Sequence, residues 1–345
     1  MTLRELLGIR HPIVLGPFGG LSSIELTAAV SDAGGLGSYG LYGYDAERIH
    51  ATVGRLRAVT DAPFALNLWL PTGDEVLPDA VDLGPARAAL APLFEELGVA
   101  LPAPPARFLP DIEEQLAAVL EARPAALSVV YGVPSADLLA HAHARDIVVI
   151  GTATTVAEAI ALADAGVDAV VATGAEAAGH RVSFLRPAEQ SLVGTFALVP
   201  QVVDAVDVPV IAAGGIADRR GVAAAFALGA SGVQVGTAFL RTRQSAASAG
   251  HRAAIAAARD DETVLTRAMS GRLARGIPNA AMAALEREEI LPFPAQNWLT
   301  GQFRTPAAQQ GRSDLVSQWA GQAAGISRYD DVAEVFADLA AGLPN

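Results

Sequence analysis

Residues 147–172 read IVVIGTATTVAEAIALADAGVDAVVA, and the fold follows from how this stretch is parsed. Ile147–Gly151 is a short apolar run without polar alternation, the pattern of a strand buried on both faces. Val156–Ala165 then has helical spacing, Gly166 supplies a left-handed stop, and Ala169–Ala172 is a second apolar run. Strand, helix, glycine and strand make one βα repeat of a parallel sheet covered by helices. The same alternation runs toward both ends of the chain. Strands are read at Ile13–Gly16, Gly35–Ser38, Phe64–Leu68, Ala126–Tyr131, Val210–Ala213 and Gly232–Val235, eight with the pair above. Helical segments such as Ile24–Asp32 and Gly221–Leu228 lie between most of them.

Eight βα units predict an α/β fold, a (β/α)8 TIM barrel. Such a barrel takes roughly 250 residues, and this chain has 345. Two stretches do not fit a bare barrel. Residues 71–110 hold eight prolines and read as an insertion after strand 3, placed to cover the barrel mouth. Residues 241–345 are helical and irregular, carry Trp298 and Trp319, and read as a lid or dimerisation element. The barrel itself is assigned to residues 1–70 and 111–240.

Composition narrows the chemistry. A formal charge of -13 repels nucleic acid and anionic lipid, so neither is an expected partner. Cysteine is absent, which removes disulfides, thiolate nucleophiles and Cys-ligated metals, and no metal is expected. All 24 basic Lys+Arg positions are arginine. Without a lysine amine, Schiff-base and pyridoxal-phosphate enzymes are excluded. An anionic cofactor must then be held by arginine or by main-chain N–H groups. The start MTLRELLGIRHP is charged at Arg4, Glu5 and Arg10 and lacks a signal-peptide core. No apolar run approaches the ~20 residues of a membrane span. A soluble, cytoplasmic protein acting on a small molecule is expected.

Barrels of this kind bind ligands at the C-terminal ends of their strands, commonly with phosphate after strands 7 and 8. Strand 7 runs into Ala212-Ala213-Gly214-Gly215-Ile216, with Asp218 placed to cap the next helix, and strand 8 into Gln234-Val235-Gly236-Thr237. Adjacent glycines let backbone close on an anion, helix N-termini add unpaired N–H groups, and the Thr237 hydroxyl is a further donor. One Gly-Gly pair is as well explained by a simple turn. Two such ends on consecutive late strands favour phosphate, without naming the ligand, since sugar-phosphate enzymes share the device.

Strand 6 ends in Thr173-Gly174-Ala175-Glu176-Ala177-Ala178-Gly179-His180-Arg181. Small residues let this loop lie against a flat ligand while His180 reaches over it, and imidazole suits proton transfer near neutral pH. A solvated loop histidine is the ordinary alternative; the position after a barrel strand favours the functional one. His141 and His143 read as surface residues, and His11, His50 and His251 have no supporting context.

Gly16-Pro17-Phe18-Gly19-Gly20, Asp32–Gly37, Asn67, the Gly174–His180 loop, Ala212–Ile216 and Gln234–Phe239 occur in this order. Together they resemble the nitronate monooxygenases, formerly called 2-nitropropane dioxygenases, from about Leu7 to Trp319-Ala320-Gly321-Gln322. The resemblance implies FMN. Its isoalloxazine would lie against Gly16, Pro17, Phe18 and Asn67, and Thr173 and Gly179 would line ring and ribityl chain. Ala213, Gly214, Gly215, Gln234, Gly236 and Thr237 would form the phosphate end. His180 would be the catalytic histidine, a base toward a nitroalkane or a support for a bound nitronate. The implied reaction is oxidation of alkyl nitronates by O2 to a carbonyl compound and nitrite.

An FMN-dependent NAD(P)H:quinone or enoyl-thioester reductase needs the same parts, and a non-redox sugar-phosphate barrel needs only the phosphate site. A homodimer is compatible with each. The family usually has Met at Phe18 and Gly at Ala178, so the wall beside the flavin differs while no reacting group is lost. Arg272 and Arg275 in Ser270–Gly276 read equally as substrate-facing or as surface ion pairs.

Overall fold

The computed structural model describes residues 2–344. Its parallel strands are β1 (Ile13–Leu15), β2 (Gly37–Gly40), β3 (Phe64–Trp69), β4 (Ala126–Val130), β5 (Val148–Ala153), β6 (Ala169–Thr173), β7 (Val210–Ala213) and β8 (Gly232–Val235). They form one sheet in the order β1-β8-β7-β6-β5-β4-β3-β2. A parallel bridge between Val14 and Leu36 joins the two edges, with Leu36 N donating to Ile13 O and Leu15 N to Leu36 O, each at 2.9 Å. The ring is thereby closed, and all eight expected strands are in it.

The strands lack polar alternation because both faces are buried. Val14, Ala65, Ala126, Ile150, Ala169, Val171 and Ile211 fill the barrel interior together with Leu3 and Leu7 of the helix Leu3–Leu7. Their neighbours Ile13, Leu15, Leu66, Leu127, Val149 and Val170 pack against the surrounding helices. Helix Val156–Ala165 shows how local sequence sets the elements: Thr155 caps its first turn, and Gly166 ends it at φ 99°.

Residues 71–110 contain helix Gly84–Glu96, despite Pro85 in its first turn and Pro92 in its interior. Its Leu90 and Phe94, with Leu97 just past its end, join Met282, Leu285, Leu299 and Phe303 in a second core, separate from that of the barrel. Phe94 meets Phe303 edge-on at 5.9 Å. The insertion thus braces helix Ala295–Gln309 from behind, and it is this helix that roofs the barrel.

The remaining C-terminal segments have other tasks. Strands Val264–Thr266 and Ala274–Gly276 form a small antiparallel sheet with Gly179–His180. Helix Val332–Ala340 buries Val332, Val335, Phe336 and Leu339 against helices Ile24–Asp32 and Arg219–Ala227, as the last helix of the barrel ring. No helix among the described residues is long and apolar enough to cross a membrane.

Candidate active site

A cavity of about 760 Å³ opens at the C-terminal ends of the strands. It is lined by Gly16, Pro17, Phe18, Asn67, Thr173, Gly179, His180, Ala213, Gly214, Gly215, Gln234, Gly236 and Thr237, and by Ala178. Every site residue named from the sequence therefore faces one space.

At the end of β7, Gly214 and Gly215 adopt φ of 99° and 72°, where a side chain is strained. A Cβ on Gly214 would also stand 2.9 Å from Thr195 Oγ1 and 3.1 Å from Gly174 O. The N–H groups of Gly214, Gly215, Gly236 and Thr237 donate to no acceptor among the described residues. Thr237 Oγ1 accepts from Gly321 N at 3.0 Å, which leaves its own proton to give. By contrast, Asp218 caps helix Arg219–Ala227 by accepting from Arg220 N at 2.9 Å and Gly221 N at 3.3 Å. The N–H groups left without acceptors are thus those of the turns, while this helix terminus is satisfied by its own carboxylate. Glu176 accepts from Thr195 N at 2.9 Å, and the Thr195 hydroxyl lies 3.0 Å from Gly214 O, pinning the β6 loop to the glycine turn.

On the opposite wall, Asn67 Nδ2 donates to Ser128 O at 3.2 Å and Ser128 Oγ at 3.1 Å, leaving Oδ1 as an acceptor. His180 Nε2 lies 2.8 Å from Ser270 Oγ, and that hydroxyl donates to Arg272 O at 3.1 Å. A hydroxyl has one proton, so Ser270 accepts from His180 Nε2–H, and Nδ1 carries the free lone pair. The half-buried ring stands edge-on to Trp69 at 4.8 Å and tilted against Trp319 at 5.5 Å. Burial, reinforced by the charges of Arg272 and Arg304, pushes its pKa down to about 3. At neutral pH it is therefore an uncharged proton acceptor.

Several lining residues had no signal in the sequence. Helix Ala295–Gln309 turns Asn297, Gly301, Arg304, Thr305 and Ala308 to the cavity, positions that share one helical face. Asn297 Nδ2 donates to the Tyr42 hydroxyl at 2.7 Å. His251 corrects the sequence reading: it is buried, lines the cavity, and donates from Nε2 to Trp319 O at 3.0 Å. Burial pushes its pKa down to about 4.

The folded protein therefore binds fewer protons at His251 than the unfolded chain between pH 6.5 and about 4. By linkage, stability is lost as pH falls through this window, by on the order of 3 kcal/mol for this group. Thermal melts against pH should show that slope, and His251→Gln should make it shallower without abolishing it, since burial depresses His180 across the same window. An identical slope in the variant would count against the assignment.

Arg272 and Arg275 are neither substrate-facing nor simple surface residues. Arg272 is 8% exposed, with its guanidinium 4.4 Å from the Tyr131 ring centre and 3.9 Å from that of Phe293. Its Nη2 reaches Thr72 Oγ1, Asp74 Oδ1 and Glu75 Oε1 at 2.6, 2.7 and 2.8 Å. Arg275 donates to Ala175 O at 3.0 Å and Thr263 O at 3.1 Å, tying the tail to the β6 loop. Arg272→Ala should destabilise by about 2–3 kcal/mol, since it strands Glu75 and empties the aromatic sandwich. Urea unfolding measures this, and a loss below about 0.5 kcal/mol would contradict it.

Residues 1–342 match a family model described as nitronate monooxygenase. The chain belongs to the nitronate monooxygenase family. It is accordingly an oxidoreductase. A probable nitronate monooxygenase of Staphylococcus saprophyticus is 38% identical over 321 residues, 92% of this chain and 90% of that protein. A nitroalkane oxidase from Streptomyces ansochromogenes superposes with a TM-score of 0.87 at 33% identity, covering 98% of this chain and 96% of that one. FabK from Thermotoga maritima superposes at 0.76 and 30% identity, covering 98% and 94%. Coverage this complete makes the insertion and the C-terminal segments part of the architecture shared with these two structures.

Proposed function

We propose that the chain binds FMN and oxidises alkyl nitronates with O2, releasing a carbonyl compound and nitrite. The observation that carries this reading is one cavity holding unspent backbone N–H groups at the ends of β7 and β8 together with the neutral imidazole of His180. The residues fit the cofactor. Gly214, Gly215, Gly236 and Thr237 offer amides to a phosphate, Thr237 adds its hydroxyl, and no lysine is required. Asn67 Oδ1 offers an acceptor to a ring N–H, and Gly16, Pro17, Phe18, Thr173 and Gly179 offer walls to a planar ring. Bound FMN would supply electron acceptance from the substrate and transfer to oxygen.

The chain's own groups prepare the substrate. His180 Nδ1 takes the α-proton of a neutral nitroalkane, and Ser270 holds the ring in the tautomer that makes this possible. A nitronate arrives already deprotonated and bypasses that step. Trp69 and Trp319 pack against the imidazole and fix its place at the cavity wall.

The test is the absorbance of purified protein, with and without added FMN, followed by nitrite release and O2 uptake on propyl-2-nitronate. A protein that takes up no flavin refutes the proposal. A second reading, FMN-dependent reduction of a quinone or an enoyl thioester by NAD(P)H, needs the same cavity and the same unspent amides. Rapid anaerobic bleaching of the flavin by NADPH, without nitronate turnover, would establish that one instead.

A further inference from the structure

The roof helix Ala295–Gln309 places one guanidinium at the cavity, that of Arg304. Its Nη1 donates to Ser317 Oγ at 2.7 Å, and its Nη2 to Asn297 O at 3.0 Å and Asn297 Oδ1 at 2.7 Å. All of these partners are neutral. Among the described residues no carboxylate pairs with Arg304, whereas Arg272 is paired with both Asp74 and Glu75. Three hydrogen bonds leave at least two of the five guanidinium N–H groups unspent, and Nε is buried without a partner. A cation sheltered from water without a counter-ion is costly. The chain has 37 acidic residues against 24 basic ones, so a counter-ion was not lacking for want of supply. Its absence at the cavity points to a counter-ion that arrives with the ligand.

We propose that Arg304 holds the anionic head of the substrate, and that it thereby makes this site select a nitronate over the nitroalkane of the same carbon skeleton. The proposal rests on the nitronate reading above. The two compounds differ by one proton. The nitroalkane is neutral, while the nitronate spreads a full negative charge over two coplanar oxygens, the shape that a guanidinium edge recognises in carboxylates. His180 stays uncharged beside it, so the positive charge that meets the substrate is that of Arg304.

The test compares FMN-loaded wild type, Arg304→Gln and Arg304→Lys on propyl-2-nitronate and on 2-nitropropane. Arg304→Gln should lower kcat/KM for the nitronate about 10- to 100-fold and change that for the nitroalkane by less than about threefold, collapsing the ratio. Arg304→Lys should keep most of the ratio. An unchanged ratio in Arg304→Gln overturns the proposal, as does equal loss on both substrates in a variant that melts like the wild type. A second measurement needs no turnover: titration calorimetry with nitrate, a planar anion with the same O–N–O head. Wild type should bind nitrate at millimolar concentrations, more weakly as chloride rises, and Arg304→Gln should bind at least tenfold more weakly. If Arg304→Gln does not fold, Arg304→Met, which keeps the apolar stem and removes the charge, takes its place on the same two readouts. Nitrate binding that is absent in wild type, or as tight in the uncharged variant as in wild type, rejects Arg304 as the anion site. Should wild type oxidise neither nitro compound while still binding nitrate through Arg304, it is the nitronate reading that fails and the anion site that stands.

Discussion

His180→Asn is expected to leave the protein folded and flavin-loaded, and to slow turnover of 2-nitropropane by about 10²- to 10⁴-fold, the usual worth of a positioned general base. Asparagine fills part of the ring's space beside Trp69 and Trp319 and places an amide near the Nδ1 position, but it offers no basic lone pair there and is too short to reach Ser270 as Nε2 does. Propyl-2-nitronate has no α-proton to surrender, so its turnover should fall far less. The pH profile separates this from a packing defect. An ordinary histidine would be protonated near pH 6.5, whereas burial keeps His180 a free base down to about pH 3. For wild type, kcat/KM on the neutral nitroalkane should therefore stay level from pH 7 to pH 5, because this parameter reports the free enzyme. A break near pH 6.5, or equal loss on both substrates in the variant, would show that His180 does not act as the base.

Gly215→Val should abolish flavin retention while sparing the fold. A Cβ at this position would meet nothing closer than Glu176 Cβ at 3.7 Å, so the barrel has room for it. The backbone does not: at φ 72° a branched residue is strained by about 1–2 kcal/mol. Relief of that strain turns the Gly214 and Gly215 amides away from the anion, and the new methyl groups stand where it would approach. Losing two hydrogen bonds to a charged group weakens FMN binding by about 100-fold or more. The protein should purify colourless with an unchanged circular dichroism spectrum, and flavin fluorescence titration should report the affinity. Full flavin occupancy in the variant would remove the glycine turn from the cofactor site.

The barrel was legible because its strands and helix stops are local. Ala169–Thr173 is apolar at successive positions for reasons visible in neighbouring residues, and Gly166 stops its helix wherever the rest of the chain goes. The glycine ends of β7 and β8 were legible for the same reason. Helix Gly84–Glu96 was hidden by its prolines. Its stability comes from Phe303 and Leu299, about two hundred residues away, a contact that outweighs local propensity. His251 looked idle because nothing near it in the chain announces a partner, and its hydrogen bond is to Trp319, 68 residues on.

Amino-acid order by itself determined the closed parallel barrel, the glycine turns at the ends of β7 and β8 and the loop that carries His180, because backbone freedom and apolar periodicity are properties of adjacent residues. The tertiary structure alone decided which ring nitrogen of His180 is free and how weakly it holds a proton. It also decided that an arginine from the roof helix faces the same cavity. Those are matters of electric field and burial, and the groups that set them, Ser270, Arg272 and Arg304, lie about ninety residues or more from the imidazole.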